Sequence, residues 1–490
     1  MTTWLRVPRV APPARFATVI VVLICSAELG GQQPRGPDRL QPPALGPAPT
    51  LTVPAIDKRT LSNGLPIWIV RTHKVPLAQL ELVVRAGSAA DPLQKFGLAS
   101  LTADMLDEGA GSRSALEIAD AIDYLGAELS TNSTSDASFV DLHVPVARLA
   151  EALPVVADVV LRPTFAENEL NRLREERLTA LVQAEDDPEQ LIEFAFPRIV
   201  YGAKHRYGTG AIGTAASLKG FTVDDLRRFH EAQYGPSNAL LVVTGDVSAD
   251  TLVPALEGAF GSWKAGMGAA AGVSEKPPQL TARRVFLIDK PGAAQSQIRI
   301  GWVGVPRSTP DYFALRVLNT ILGGAFTSRL NMNLREAHGY SYGAGSSFDM
   351  RRGAGPFYAA AGVQTDKTVE ALKEFFNELR RIHDPIPDEE VQKAENYLAL
   401  LLPRNFESTR AIASSISQIF VFDLPADFYQ TYNDRVHAVS SADLKRAADT
   451  YIQPDKFAVV VIGDLKKIEA SVRALNLGAV TVVKPEDVMK

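Results

Sequence analysis

The chain carries seven histidines, His73, His143, His205, His230, His338, His383 and His437, and the closest two, His205 and His230, stand 25 residues apart. A peptide-hydrolysing zinc site needs two imidazoles close together on one helix face, with a further ligand beyond. No helix of this chain can carry such a pair. A serine nucleophile in a G-x-S-x-G elbow is missing as well. The residues best suited to chemistry lie in NLREAHGYSYGAG, residues 333–345, where Arg335 and Tyr342 are separated by six positions. A guanidinium and a phenol are both donors, fit for a scissile carbonyl and for the oxyanion that it becomes. Both residues also have structural uses. A cation is favoured near the end of a helix that stops at Gly339, and an aromatic residue suits the strand-like stretch beyond. His338 reads as an exposed helix-end residue. Upstream, ILGGAFTSRL places Gly323 and Gly324 before a helix start that Thr327 or Ser328 would cap. The two glycines would let a bound peptide's backbone come close, or would serve a tight turn.

These residues need a frame, and the sequence implies one built twice. FTVDDLRRFHEAQYGPSNALLVVTGDV, residues 221–247, aligns without a gap with VSSADLKRAADTYIQPDKFAVVVIGDL, residues 439–465. Each copy opens with a capping signature, Thr222-x-x-Asp225 or Ser440-x-x-Asp443, and passes a proline turn into an apolar strand and a Gly-Asp turn. A helix and a buried strand recurring near the end of each half indicate a duplicated unit. A further helix is expected after the capping box Thr164-x-x-Glu167, and another over TDKTVEALKEFFNELRRIHD. Asn63-Gly64 between apolar runs predicts a β-hairpin. Strand–strand–helix order within each half predicts an α+β fold of two related domains.

Length sets the outer limits. A chain of 490 residues is too long for one ordinary core, and 46% hydrophobic with 22% charged residues is a globular composition. The net charge of −5, with no long Lys/Arg run, argues against a nucleic-acid partner. Residues 1–27 read as a signal peptide, with Arg6, Arg9 and Arg15 ahead of an apolar run and Cys25-Ser26-Ala27 as the cleavage site. The expected address is the periplasm or exterior of a bacterium. Cys25 is the only cysteine, so cleavage after Ala27 leaves no thiol; lipid modification of Cys25 is the rival reading. No other stretch has the ~20 apolar residues that a spanning helix needs. Residues 28–57 form a Pro/Gly-rich tether, 58–263 the first domain, 264–282 a linker, 283–475 the second domain and 476–490 a tail.

Taken together, LSNGLPIWIV, RAGSAADP, FGLASLTADMLDEGA, the paired helix–strand–Gly-Asp endings and LGGAFTSRLNMNLREAHGYSYGAGSSF resemble the pitrilysin/insulinase metallopeptidases over roughly residues 58–470. The likeness is to their two-domain bacterial and mitochondrial-processing-peptidase branch. The resemblance implies a mainly antiparallel sheet in each domain, with helices packed on one side, and an H-x-x-E-H zinc helix in the first. Here Ser100, Ala103 and Asp104 stand where His, Glu and His belong, on a helix that keeps the apolar stripe Leu98, Leu101, Met105 and Leu106. Gln183 falls about where the third ligand, a glutamate, is expected. One hydroxyl, one carboxylate and one amide cannot replace that set, so the expectation is no metal in this chain. The resemblance makes Arg335 and Tyr342 the pair that holds substrate opposite the metal, and Gly323 and Gly324 part of a glycine-rich substrate loop. Some members split the work between a zinc-bearing chain and a homologous partner with the Arg/Tyr pair. The expectation is therefore a non-zinc subunit of a heterodimer, with zinc in the partner and an extended peptide as substrate. A non-catalytic scaffold of the same fold is the alternative.

Overall fold

The computed structural model describes residues 52–264, 266 and 277–490. The predicted signal peptide, most of the tether and the centre of the predicted linker lie outside the described residues. The described residues form one compact unit.

That unit holds two six-stranded, mostly antiparallel sheets. The first is built from β1 (Asp57–Thr60), β2 (Pro66–Arg71), β3 (Leu77–Val84), β4 (Glu128–Ser133), β5 (Ser138–Pro145) and β6 (Ala239–Gly245), in the order β1-β2-β6-β3-β5-β4. The second is built from β7 (Arg284–Asp289), β8 (Gln295–Val303), β9 (Ser341–Phe348), β10 (Pro356–Gln364), β11 (Ala458–Gly463) and β12 (Ala479–Val483), in the order β12-β7-β11-β8-β10-β9. β6 lies parallel to β2 and antiparallel to β3, and β11 lies parallel to β7 and antiparallel to β8. The repeat read from sequence is thus the same central strand in two sheets, and the α+β class holds. Both helices that precede these strands begin in full capping boxes, at Thr222 and at Ser440. The Asn63-Gly64 turn joins β1 to β2, with Gly64 at φ +88° and Leu61 bonded to Leu65 across it.

Five helices of the first half matter below: α1 (Leu98–Asp104), α2 (Ala115–Tyr124), α3 (Leu149–Leu161), α4 (Glu167–Asp186) and α5 (Pro188–Tyr201). Every residue of β6 and of β11 is buried. A strand buried at both alternations needs cover on both faces. The halves supply that cover reciprocally. α5 packs on β8, β10 and β11 of the second sheet, and the helix Thr409–Val421 packs on β3 and β6 of the first. Polar contacts fix the exchange. Arg299 of β8 donates to Glu193 of α5 at 2.9 Å, Tyr201 of α5 donates to the carbonyl of Ala354 at 2.9 Å, and Thr244 of β6 donates to the carbonyl of Thr409 at 2.6 Å. The expected cover of helices on one side therefore holds only for helices of the same half.

Two local expectations fail. Thr164 caps nothing: α4 starts at Glu167 after Ala166 with no side-chain cap, because Phe165 takes φ +50° and the Thr164 hydroxyl donates to the carbonyl of Gly109 at 3.0 Å. The predicted tail 476–490 is structured. β12 extends the second sheet beside β7, and the helix Pro485–Met489 packs on α4 and α5, burying Val488 and Met489.

The exchanged helix covers one buried carboxyl. Glu81 of β3 accepts a hydrogen bond from Ser417, and burial, reinforced by Asp141, holds its pKa well above the carboxylate range. A folded-state pKa above the unfolded one stabilises fully below the ordinary carboxylate range and loses that contribution as pH climbs through the raised value. Urea unfolding should therefore give a more stable protein at pH 5.5 than at pH 8.5. Glu81→Gln, which keeps the shape without the titration, should reduce that difference and leave the part due to the raised Asp91 carboxyl; an unchanged difference in the variant would refute the assignment.

Candidate functional site

α1 owes its start to Asp91, whose carboxylate accepts from the backbone N–H groups of Gly97 and Ala99, both at 2.7 Å. Burial pushes the Asp91 carboxyl up to about 7 in spite of those two bonds. Leu98, Leu101, Met105 and Leu106 are all buried, as the stripe required. Ser100 and Asp104 are four residues apart and therefore share a helix face. Ala103 beside them is fully buried, with no group to offer.

Arg177 of α4 closes this face. Its guanidinium bonds Asp104 and donates to the Ser100 hydroxyl at 2.9 Å from the same nitrogen. Arg177 is nearly buried, and its other terminal nitrogen has no acceptor. Gln183 is exposed and contacts neither residue, so the α4 position that meets α1 is Arg177. Gln183 lies six residues, nearly two turns, beyond Arg177 along the same helix, which keeps it from that face. A buried cation at the centre of the face, with no imidazole near it, does not fit a zinc ion. Among the described residues no group of three or more His, Cys, Asp or Glu side chains is arranged to hold a metal. The histidines are dispersed, as in His73 with Asp246, His230 on the carbonyl of Val160 and His383 with Asp449.

Beside this face a cavity of about 960 Å³ runs along β4, from Glu108 and Arg172 to Asp141 and Arg410. β4 is a sheet edge whose side chains are alternately exposed. Its free backbone groups can pair with an extended chain.

The second half brings its two expected residues together. Arg335 lies in the wide helical turn Met332–Ala337, Gly339 takes φ +63°, and the chain enters β9, the edge of its sheet, with Tyr342. The Arg335 guanidinium lies 5.0 Å from the Tyr342 ring and 4.7 Å from the Phe326 ring. Tyr342 is 87% exposed, so its hydroxyl is free to donate outward. Phe326, also exposed, was missed from sequence because nothing local marks it as the other wall of this stack. His338 stacks on Tyr340. The two glycines serve the chain itself. A Cβ on Gly323 would meet the backbone nitrogen of Ser346 in β9 at 2.2 Å, and one on Gly324 would meet Asn319 at 2.7 Å. Their close approach is to β9 and to the preceding turn, not an open substrate loop. Ser328 precedes the short helix Arg329–Asn331 without a side-chain cap.

Comparison with known proteins is decisive for the family. Residues 67–209 match insulinase (peptidase family M16) and residues 220–398 match the peptidase M16 inactive domain. An uncharacterized zinc protease of Mycobacterium leprae is 30% identical over 310 residues, which span 62% of this chain and 68% of that protein. The chain belongs to the M16 peptidase family. An uncharacterized zinc protease of Bacillus subtilis, YmxG, is 26% identical over 80% of this chain and 93% of its own length. The fold is that of the M16 inactive domain from Pseudomonas fluorescens (TM-score 0.77, 24% identity, 83% of this chain and 98% of that one). A protease from Helicobacter pylori is equally similar (TM-score 0.77, 21% identity, 84% and 99%). Within this M16 chain, Arg177 bonds both polar residues of that α1 face, Ser100 and Asp104.

Removing Asp104 strands a nearly buried guanidinium, whereas removing Arg177 leaves a half-exposed carboxylate that water can reach. Asp104→Ala should cost about 3 kcal/mol and Arg177→Met about 1 kcal/mol; chemical denaturation measures both, and the reverse order would mean the pair is not what holds α1 to α4. The combined variant Ser100→His, Asp104→His, Arg177→Glu should take up close to one zinc per chain by elemental analysis. No gain over the parent would show that this face is not the metal position.

Proposed function

We propose that this chain is the non-zinc subunit of a heterodimeric, exported M16 peptidase. A homologous partner would carry the zinc, the attacking water and the general base, and the two chains would enclose an extended peptide. Arg335 and Tyr342 would act on the peptide bond held by that partner. The observation that carries this reading is the contrast between the halves: a guanidinium fills the degenerate zinc face, while Arg335 and Tyr342 stand stacked at a sheet edge with the phenol outward. A donor held in place by packing requires little reorganisation when an oxyanion forms.

The reading implies that the chain alone has no zinc-dependent proteolysis and that a zinc-bearing homologue acquires or gains it on mixing. In that reconstituted pair, Tyr342→Phe and Arg335→Ala should each lower kcat about 100-fold, the scale of losing one oxyanion donor, with assembly by size-exclusion chromatography unchanged. Full activity from the double variant would assign both residues to the framework and make the chain a scaffold of the same fold. Zinc-dependent turnover by the lone chain would overturn the subunit reading.

A further inference from the structure

A second concentration of arginine lies away from both candidate faces, in the second half. The turn that leaves β8 brings Arg307, the helix Tyr312–Asn319 brings Arg316, and the turn after the helix Asp388–Leu401 brings Arg404 to one cavity of about 550 Å³. No aspartate or glutamate lines it. Among the described residues none of these three arginines forms an ion pair, although arginines elsewhere in the chain repeatedly do, as at Arg299, Arg329 and Arg351.

The three are held in ways that leave their charge unspent. The Arg307 guanidinium stacks 3.5 Å from the Tyr312 ring and 4.9 Å from the Phe428 ring, and its backbone N–H bonds the carbonyl of Arg351 at 2.7 Å. Stacking satisfies the faces of the fork and leaves its N–H edge for an acceptor. Arg316 and Tyr432 line the same cavity. Burial presses the Arg307 pKa down, and the neighbouring Arg316 adds to that pressure. A guanidinium does not relieve such stress by losing its proton under ordinary conditions, so the relief available is a bound anion.

We infer that this cavity is a binding site for a phosphoryl group, carried by a small soluble phosphate or by a lipid headgroup and distinct from the peptide substrate. A carboxylate presents two oxygens and one charge. A phosphate monoester presents three acceptor oxygens and about −1.5 to −2 charge at neutral pH, which matches three arginines lining one cavity better. Arg307 is half-buried, while Arg316 and Arg404 are exposed.

The test is titration calorimetry of the full mature chain with pyrophosphate at fixed ionic strength, against sodium chloride as control. Saturable binding at one site is expected. It should weaken at least tenfold in Arg316→Gln/Arg404→Gln, which alters only exposed side chains, and the variant's melting temperature without ligand should match the parent's. Arg307→Lys, which keeps the charge and loses the fork, should also bind more weakly. Co-sedimentation with vesicles containing phosphatidic acid, a lipid monoester, lost in the same double variant and absent with phosphatidylcholine, would identify a headgroup as the source if pyrophosphate does not bind. Binding of pyrophosphate or vesicles that the double variant leaves unchanged, or no binding of either, overturns the proposal.

Discussion

The central strands of both sheets are apolar on both faces, and the rest of the molecule follows from how the second face is covered. Each half lends the other a helix, α5 to the second sheet and Thr409–Val421 to the first. The borrowed helix brings polar anchors with it, so the burial is specific in register as well as apolar. Glu193 meets Arg299 on one side of the exchange, and Ser417 meets Glu81 on the other. Neither half keeps a fully covered core if the other unfolds, which ties both candidate faces to a single cooperative unit.

That coupling matters because the two faces stand on different halves. α1 lies against β4 and β5 of the first sheet, tied to α4 through Arg177, and Arg335 and Tyr342 stand at the edge of the second. α1 has a capped start and a buried apolar stripe, and its polar face carries Ser100 and Asp104. A guanidinium bridges a hydroxyl and a carboxylate there. It holds two helices together with one positive charge and directed hydrogen bonds, where a zinc ion would bind neutral imidazoles and keep a position open for water. Arg177 is a structural tie and offers no water-activating group.

Arginine in this chain serves three ends that burial and partners distinguish. Arg177 is buried against a carboxylate, Arg335 is stacked between two exposed rings, and Arg307 is stacked without any carboxylate at all. The same planar cation ties helices in the first setting, presents donors in the second and waits for an anion in the third. Side-chain type alone separates none of these roles.

Periodicity, capping boxes, the gapless repeat and the histidine spacing determined the α+β class, the duplicated helix–strand unit and that no helix carries two histidines, because each is encoded within short stretches of sequence. The pairing of Arg335 with Tyr342 was also legible, since six residues across one helix end and one strand start leave the two close. Tertiary structure alone decided the rest. It put Arg177 rather than Gln183 against Ser100 and Asp104, because the helix that meets α1 comes from more than sixty residues away and a shift of six positions is invisible without it. It turned Gly323 and Gly324 toward β9 and made a strand and a helix of the expected tail, both through partners distant in sequence. It exchanged α5 for the helix Thr409–Val421, because an amphipathic pattern states that a face must be buried and not which sheet will bury it.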